Sequence, residues 1–231
     1  VPGPEHKPFL IFDLDGTLVD SLPGIAASLN RSLQAHGMAA HSDQAVRSFV
    51  GDGLATLVRR AAPAGTLPET LESLVRCFKA DYAISWRDGS LPFPGVPEML
   101  EDLQNHGIRM AVLSNKVHSF TVEMVAGIFP AIAFTTVLGQ QDGVPHKPDP
   151  AGALQIAAAA AIPPAECVVI GDSTMDVETA TRAGMRCMAV SWGYHDVQRL
   201  LDAGATNVLH KPADCLASLA ESGTRTRTDL D

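Results

Sequence analysis

Short apolar runs that stop abruptly at polar residues recur along the chain. Between them, apolar positions repeat every three or four residues. Phe9-Leu10-Ile11-Phe12 is the first such run and leads straight into Asp13, Asp15 and Gly16. An apolar run of that length, flanked by breakers, predicts a strand buried on both faces, as in parallel sheets. Met110–Leu113, Cys167–Ile170 and Met188–Ser191 predict further strands of this kind, with weaker ones at Phe134–Leu138 and Asn207–Leu209. Helical periodicity falls between them. It covers Val96–His106 before Gly107, Ser119–Ala126, a segment from Asp149 or Pro150 to Ala161, Thr174–Ala183 before Gly184, Val197–Ala203 and Pro212–Glu221. Repeated strand-then-helix units predict an α/β fold, a Rossmann-like parallel sheet with helices on both faces.

One region breaks the alternation. Leu22–His36 reads as a helix with Ser21 as its N-cap, Pro23 in its first turn and Gly37 as its stop. From there to about Leu91 no good strand run occurs, and helical segments fall near Asp43–Phe49, Leu54–Ala62 and Pro68–Trp86. Leu71, Leu74, Val75, Phe78 and Tyr82 give the last of these an apolar face. The expected organisation is a catalytic α/β core over 1–20 and 94–231, with an inserted all-helical domain over 21–93. Arg87–Gly95 serves as the return linker. Val1–Pro8 reads as a loose lead-in and 223–231 as a disordered tail.

Composition narrows the partners. Of 231 residues, 46% are hydrophobic but only 5% aromatic, so alanine, leucine and valine must do most of the packing. The net charge of −9 argues against nucleic acid or an anionic membrane as a partner. It also means that an anionic substrate needs a local cationic site. Cys77, Cys167, Cys187 and Cys215 include no C-x-x-C pair, which points to free thiols in a reducing compartment. With no leader in Val1–Pro8 and no stretch long enough to span a bilayer, the expected location is cytoplasmic.

The chemistry gathers at the strand ends. Polar residues follow each convincing strand: Asp13 and Asp15 after Phe12, Ser114-Asn115-Lys116 after Leu113, and Gly171-Asp172-Ser173 with Asp176 after Ile170. His146-Lys147-Pro148-Asp149-Pro150 lies in a nearby proline-rich loop. In a parallel sheet all carboxyl ends share one edge, where ligands bind, so these groups are expected to converge. Asp13 and Asp15 repel each other unless a cation intervenes, and Mg²⁺ suits oxygen ligands completed by a phosphate.

In this order the segments Asp13-Leu14-Asp15-Gly16-Thr17, Ser114, Lys147 and Gly171–Asp176 resemble the four motifs of the haloacid dehalogenase superfamily. The helical insert resembles that superfamily's cap. The resemblance implies a hydrolase in which Asp13 is the nucleophile, Asp15 the general acid and base, and Lys147 a charge-offsetting catalytic lysine. It implies phosphate binding by Leu14, Thr17, Ser114, Asn115 and Lys147. Mg²⁺ would be held by Asp13, Asp172 and the backbone carbonyl of Asp15, with Ser173 and Asp176 behind them. Asp176 lies one helical turn from Asp172 and would bind through water or orient Lys147. In the cap, Gly51-Asp52-Gly53 resembles the substrate-specificity loop, and Arg47, Arg59 and Arg60 are further candidates for reaching a substrate carboxylate.

Within the superfamily, Asp13–Ser21, Ser114-Asn115-Lys116, His146-Lys147-Pro148 and Trp192-Gly193-Tyr194 are most similar to phosphoglycolate phosphatases. That likeness implies a small phosphorylated metabolite, 2-phosphoglycolate, as substrate. It implies a monomer or homodimer as the working form. The alternatives are a sugar-phosphate mutase of the same fold, a phosphatase for pyrophosphate or a sugar phosphate, and a non-catalytic binding protein. The mutase also needs Asp15, so the core motifs leave it open.

Overall fold

The computed structural model describes residues 7–219; the expected tail at 223–231 and most of the lead-in lie outside them. Six strands form one parallel sheet: β1 (Phe9–Phe12), β4 (Met110–Val117), β5 (Phe134–Gln140), β6 (Cys167–Gly171), β7 (Arg186–Val190) and β8 (Val208–Leu209). Their spatial order is β5-β4-β1-β6-β7-β8, with each neighbouring pair parallel. The first strand is therefore central, with β4 on one side and β6 on the other. Every residue of β1 is buried, which is why its sequence is continuous in apolar residues instead of alternating.

The two faces of β1 meet different helices. Leu10 and Phe12 pack toward α5 (Val96–Asn105) and α6 (His118–Ile128), through Leu100, Leu103, Met124 and Val125 among others. Phe9 and Ile11 pack toward α7 (Ala151–Ala160) and α8 (Thr174–Ala183), where Ala153, Ala157 and Ala180 allow close approach. The alanine-rich run thus serves as a thin layer between helix and sheet. A further helix, α9 (Val197–Asp202), covers β7 through Leu200 and Ala189.

Between β1 and α5 the chain makes the helical insert: α1 (Leu22–Ala35), α2 (Asp43–Arg47), α3 (Leu54–Ala61) and α4 (Pro68–Ser85). Helix α1 packs on α2 and α4, and α3 on α4. Two short strands, β2 (Val19–Asp20) and β3 (Leu91–Pro92), pair antiparallel where the chain enters and leaves the insert. Neither was expected, because two residues are too few to show periodicity.

Other expectations moved at their ends. The strand expected at Met110–Leu113 runs on to Val117, through a break in its register with β5. The helix expected at Ser119–Ala126 extends to His118 and Ile128. Ser21 occupies the N-cap position of α1 without capping it: its hydroxyl donates to Asp15, and the first helical N–H, of Leu22, donates to the Tyr194 hydroxyl. The four cysteines are unpaired. No helix among the described residues is long and apolar enough to cross a membrane.

Candidate active site

The carboxyl ends of β1, β4 and β6, together with the loop before α7, open onto one cavity. Asp13, Asp15, Ser114, Asn115, Lys116, Lys147, Asp172 and Ser173 line it from the core. Its opposite wall is mostly apolar and comes from the insert: Ile25, Val50, Leu54, Leu57, Phe78 and Tyr82, with the glycines Gly51 and Gly53. The fold thus brings Asp13 and Asp172, distant in sequence, to adjacent strand ends, since β1 and β6 pair along their whole length.

Asp13, Asp172 and Asp176 are buried, and one carboxylate oxygen from each falls within 4.8 Å of the others. Lys147 is the cation among them, with its Nζ 2.8 Å from Asp13 Oδ1 and 2.6 Å from Asp176 Oδ1. Burial opposes its charge, but the Asp13 and Asp176 carboxylates outweigh that and hold Lys147 above the ordinary lysine range. One ammonium does not offset three carboxylates. Burial, followed by Asp176 and Asp172 against the opposing Lys147, raises Asp13 well above the usual carboxylate range. Burial and Asp176 push Asp172 up to about 7, against the Tyr194 N–H, the Thr17 hydroxyl and Lys147.

That surplus of negative charge is the environment a divalent cation relieves. Carboxylate oxygens in a tight group suit a hard divalent cation better than a soft one. Glycines make room for the carboxylates themselves: a Cβ on Gly16 or Gly193 would overlap the Asp172 side chain, and one on Gly171 would overlap Asp176. Gly16 also holds φ at +93°, a conformation that side chains disfavour. The donor set therefore fits a bound metal ion.

Each polar group has a defined orientation. Asp176 caps α8 reciprocally with Ser173, accepting from the Ser173 N–H at 3.0 Å and hydroxyl at 2.6 Å, while its other oxygen faces Lys147. Asp176 therefore fixes Lys147 and the helix start together. Thr17 donates to Asp172 Oδ1 at 3.0 Å, and the Tyr194 N–H donates to Asp172 Oδ2 at 2.6 Å. The Thr17 hydroxyl is thus engaged with Asp172. The Leu14 side chain is fully buried in the core, leaving only its backbone for the site.

Asn115 does more than the sequence suggested. Its amide nitrogen donates to the carbonyls of Gly51 and Lys147, both at 3.0 Å, and its Oδ1 accepts from the Lys147 N–H at 2.7 Å. It ties the end of β4 to the lysine loop and to the insert at once. Gly51 and Gly53 hold φ at +123° and +81°. A Cβ on Gly53 would meet His146, so only glycine lets this loop lie so close to the core. Asp52 turns away from the cavity to pair with Arg60 at 2.6 Å. Arg59 donates to Thr56, and Arg47 donates to the carbonyls of Gly193 and Tyr194 at 2.7 and 2.9 Å. None of these arginines lines the cavity, because each finds a nearer acceptor.

Asp15 stands apart from the acidic trio. Its carboxylate accepts from Lys116 Nζ at 3.0 and 3.1 Å and from the Ser21 hydroxyl. Lys116, expected at the converging edge with Ser114 and Asn115 but given no role there, proves to be the partner of Asp15. The segment after β7 was given no role either: Trp192 donates to the Thr17 carbonyl, and the Tyr194 hydroxyl accepts from the backbone of Ser21 and Leu22, each at 3.0 Å. A bulky aromatic pair around a glycine at a strand exit was its sequence signature.

Comparison with known proteins agrees with this geometry. The family described as haloacid dehalogenase-like hydrolase matches residues 10–190. Phosphoglycolate phosphatase 1 of Pseudomonas aeruginosa is 33% identical over 213 residues, covering 90% of this chain and 78% of that protein. Phosphoglycolate phosphatase of Pectobacterium atrosepticum is 31% identical over 224 residues, 96% of each chain. A solved structure from Haemophilus somnus, described as a predicted phosphoglycolate phosphatase, superposes with a TM-score of 0.86 at 26% identity, covering 93% of this chain and 99% of that one.

Proposed function

The chain belongs to the haloacid dehalogenase-like hydrolases and is an enzyme of the phosphatase kind; from that premise we propose that it is a Mg²⁺-dependent phosphomonoesterase working through an aspartyl-phosphate, with 2-phosphoglycolate as its substrate. The observation that carries the reading is the placement of two carboxylates with different partners on one cavity. Asp13 lies against Lys147 among the acidic trio, and Asp15 lies against Lys116 and Ser21. The names of the relatives support the substrate.

In this reading Asp13 attacks phosphorus, the bond from phosphorus to the ester oxygen breaks, and Asp15 gives that oxygen its proton. Asp15 then takes a proton from water, whose oxygen attacks the same phosphorus. The acyl-phosphate bond breaks, the Asp13 carboxylate returns and inorganic phosphate leaves. Lys147 and the Ser114 hydroxyl hold the phosphoryl oxygens through both steps, and the Asn115 side chain keeps Lys147 and the end of β4 in register. Asp13, Asp172 and the Asp15 carbonyl would hold Mg²⁺, with Asp176 and Thr17 bracing them. The ion supplies positive charge against the phosphoryl oxygens. The apolar wall from the insert excludes bulk water from this charged floor.

The test is phosphate release by the purified full-length chain from 2-phosphoglycolate, pyrophosphate and sugar phosphates. Release from 2-phosphoglycolate with Mg²⁺, abolished by a chelator and restored by the ion, is the expected result. Absence of phosphate from every ester, or an isomerised sugar phosphate in its place, overturns the reading.

A further inference from the structure

Two lysines line the cavity, one against each of the two carboxylates that the phosphatase reading uses. Lys147 belongs to the side where phosphorus would sit, against Asp13 and Asp176. Lys116 belongs to the side of the leaving oxygen, against Asp15. Burial opposes its charge, yet Asp15 and then Tyr82 hold it above the ordinary lysine range. Burial, followed by Arg199, keeps His195, the histidine on this cavity, below its ordinary value and so neutral near pH 7. Of the two lysines on this cavity, Lys116 is the one within 3.0 Å of Asp15.

The surroundings of Lys116 are unusual for a lysine that only steadies a neighbour. Its side chain is 7% exposed, and its Nζ lies 4.6 Å from the centre of the Tyr82 ring, with the Tyr82 hydroxyl at 2.9 Å. Tyr82 stacks on Phe78 at 5.2 Å and meets Phe120 edge-on at 5.3 Å. The ammonium thus lies beside one tyrosine, itself held by a phenylalanine from the insert and one from the core, in a cavity with a mostly apolar wall. A cation so poorly hydrated attracts an anion far more strongly than a surface lysine does. Two of its three contacts go to a single carboxylate, Asp15, which a single hydrogen bond can hold. One N–H is thereby available for a second acceptor beside the leaving oxygen.

We propose, resting on the phosphatase reading above, that Lys116 reads a carboxylate on the carbon bearing the ester oxygen. The substrate class is then phosphate monoesters of 2-hydroxy acids, of which 2-phosphoglycolate is the smallest. A carboxylate at that carbon is two bonds from the leaving oxygen that Asp15 protonates, so one ammonium reaches both groups. Tyr82, carried by the insert, completes this subsite only when insert and core are together. Esters with a neutral tail leave Lys116 on Asp15 and Tyr82, not stranded without partners. The discrimination is therefore that of one charged hydrogen bond, about 10- to 100-fold, and not the far larger factor of a site whose polar groups go unpaired.

The experiment compares 2-phosphoglycolate with ethyl phosphate, which has a methyl group in place of the carboxylate. Initial rates of phosphate release are measured for the wild-type chain, Lys116→Met and Lys116→Arg, after thermal melts establish that each variant is folded. Intrinsic reactivity of the two esters cancels when the ratio of their kcat/KM values is compared between variants. The wild type is expected to favour 2-phosphoglycolate, Lys116→Met to lose about 10- to 100-fold of that preference, mostly through KM, and Lys116→Arg to keep part of it. A Lys116→Met variant that slows both esters by the same factor makes Lys116 a support for Asp15 alone and overturns the proposal, while leaving the phosphatase reading intact. A wild type that does not distinguish the esters overturns it too. Failure of the wild type on both esters, with release from a sugar phosphate or pyrophosphate, rejects 2-phosphoglycolate as substrate and this proposal with it; failure on all of them rejects the phosphatase reading.

Discussion

The core floor of the cavity and the surface of the insert are built on opposite electrostatic terms. On the floor, strands with fully buried flanks force Asp13 and Asp172 together, and both are pushed up from the carboxylate range, Asp172 to about 7. On the insert, outside the cavity lining, Asp81 of α4 pairs with Arg31 of α1 at 2.6 Å on a half-open surface, and the Arg31 contact brings Asp81 down to about 2. One carboxylate is held where it is unfavourable until a cation comes; the other is held where its partner already satisfies it. The comparison separates function from architecture: raised acids mark where the fold is under electrostatic load, and the lowered acid marks ordinary bracing.

The largest expected effect removes the floor's central group. Asp13→Asn should lower phosphate release by about 10⁴-fold or more while leaving the fold intact, as read by turnover beside a thermal melt. A variant with near-normal turnover would equate the floor with mere bracing.

Metal and pH act next. Asp172 has a folded value near 7 against an ordinary 3.8, so between those values the folded chain binds more protons than the unfolded one. Without metal, the contribution of Asp172 to stability is therefore largest at low pH and is lost as pH rises from about 4 to about 7. Saturating Mg²⁺ should raise Tm at pH 8 and raise it far less at pH 5, where protons occupy the carboxylates. Binding at a hundredfold excess over Kd adds about 2.7 kcal/mol. Equal shifts at both values would separate the ion from these carboxylates.

On the insert side, Gly53→Ala places a Cβ against His146 at a positive φ. That strain costs about 1–3 kcal/mol in seating the loop, so kcat/KM should fall about 5- to 100-fold with the core still folded. The smallest effect belongs to the surface pair. Asp81→Asn should cost about 0.2–1 kcal/mol at pH 7, since both partners are solvated. The loss should fade as pH falls from about 4 toward 2, where the wild-type carboxylate is itself protonated. A larger loss would show that the surface pair braces the insert far more than its exposure suggests.

Much of this was legible in the residues. Continuous apolar runs identified β1 and β6, and the carboxyl-edge rule gathered Asp13, Ser114 and Asp172 onto one cavity before any coordinates. Less visible was what depends on competition between acceptors. Ser21 has every mark of a helix cap and serves Asp15 instead; Thr17 serves Asp172; Arg47 spends itself on two carbonyls of the core. The edge rule gathers Lys116 too, but nothing local says whether a lysine at a strand end points to solvent or packs beside a tyrosine. The β2–β3 ribbon escaped because it is shorter than any period.

That ribbon has a wider consequence. Val19 is paired with Pro92, so the chain departs from the sheet and rejoins it at adjoining points. For such a junction, the entropy of spanning it grows only with the logarithm of the intervening length. The reacting floor is thereby insulated from the history of the segment above it. Within 22–90, segments that make no contact with the core can lengthen or shrink without shifting the strand end that carries Asp13, whereas Gly51 and Tyr82, which reach Asn115 and Lys116, cannot move freely.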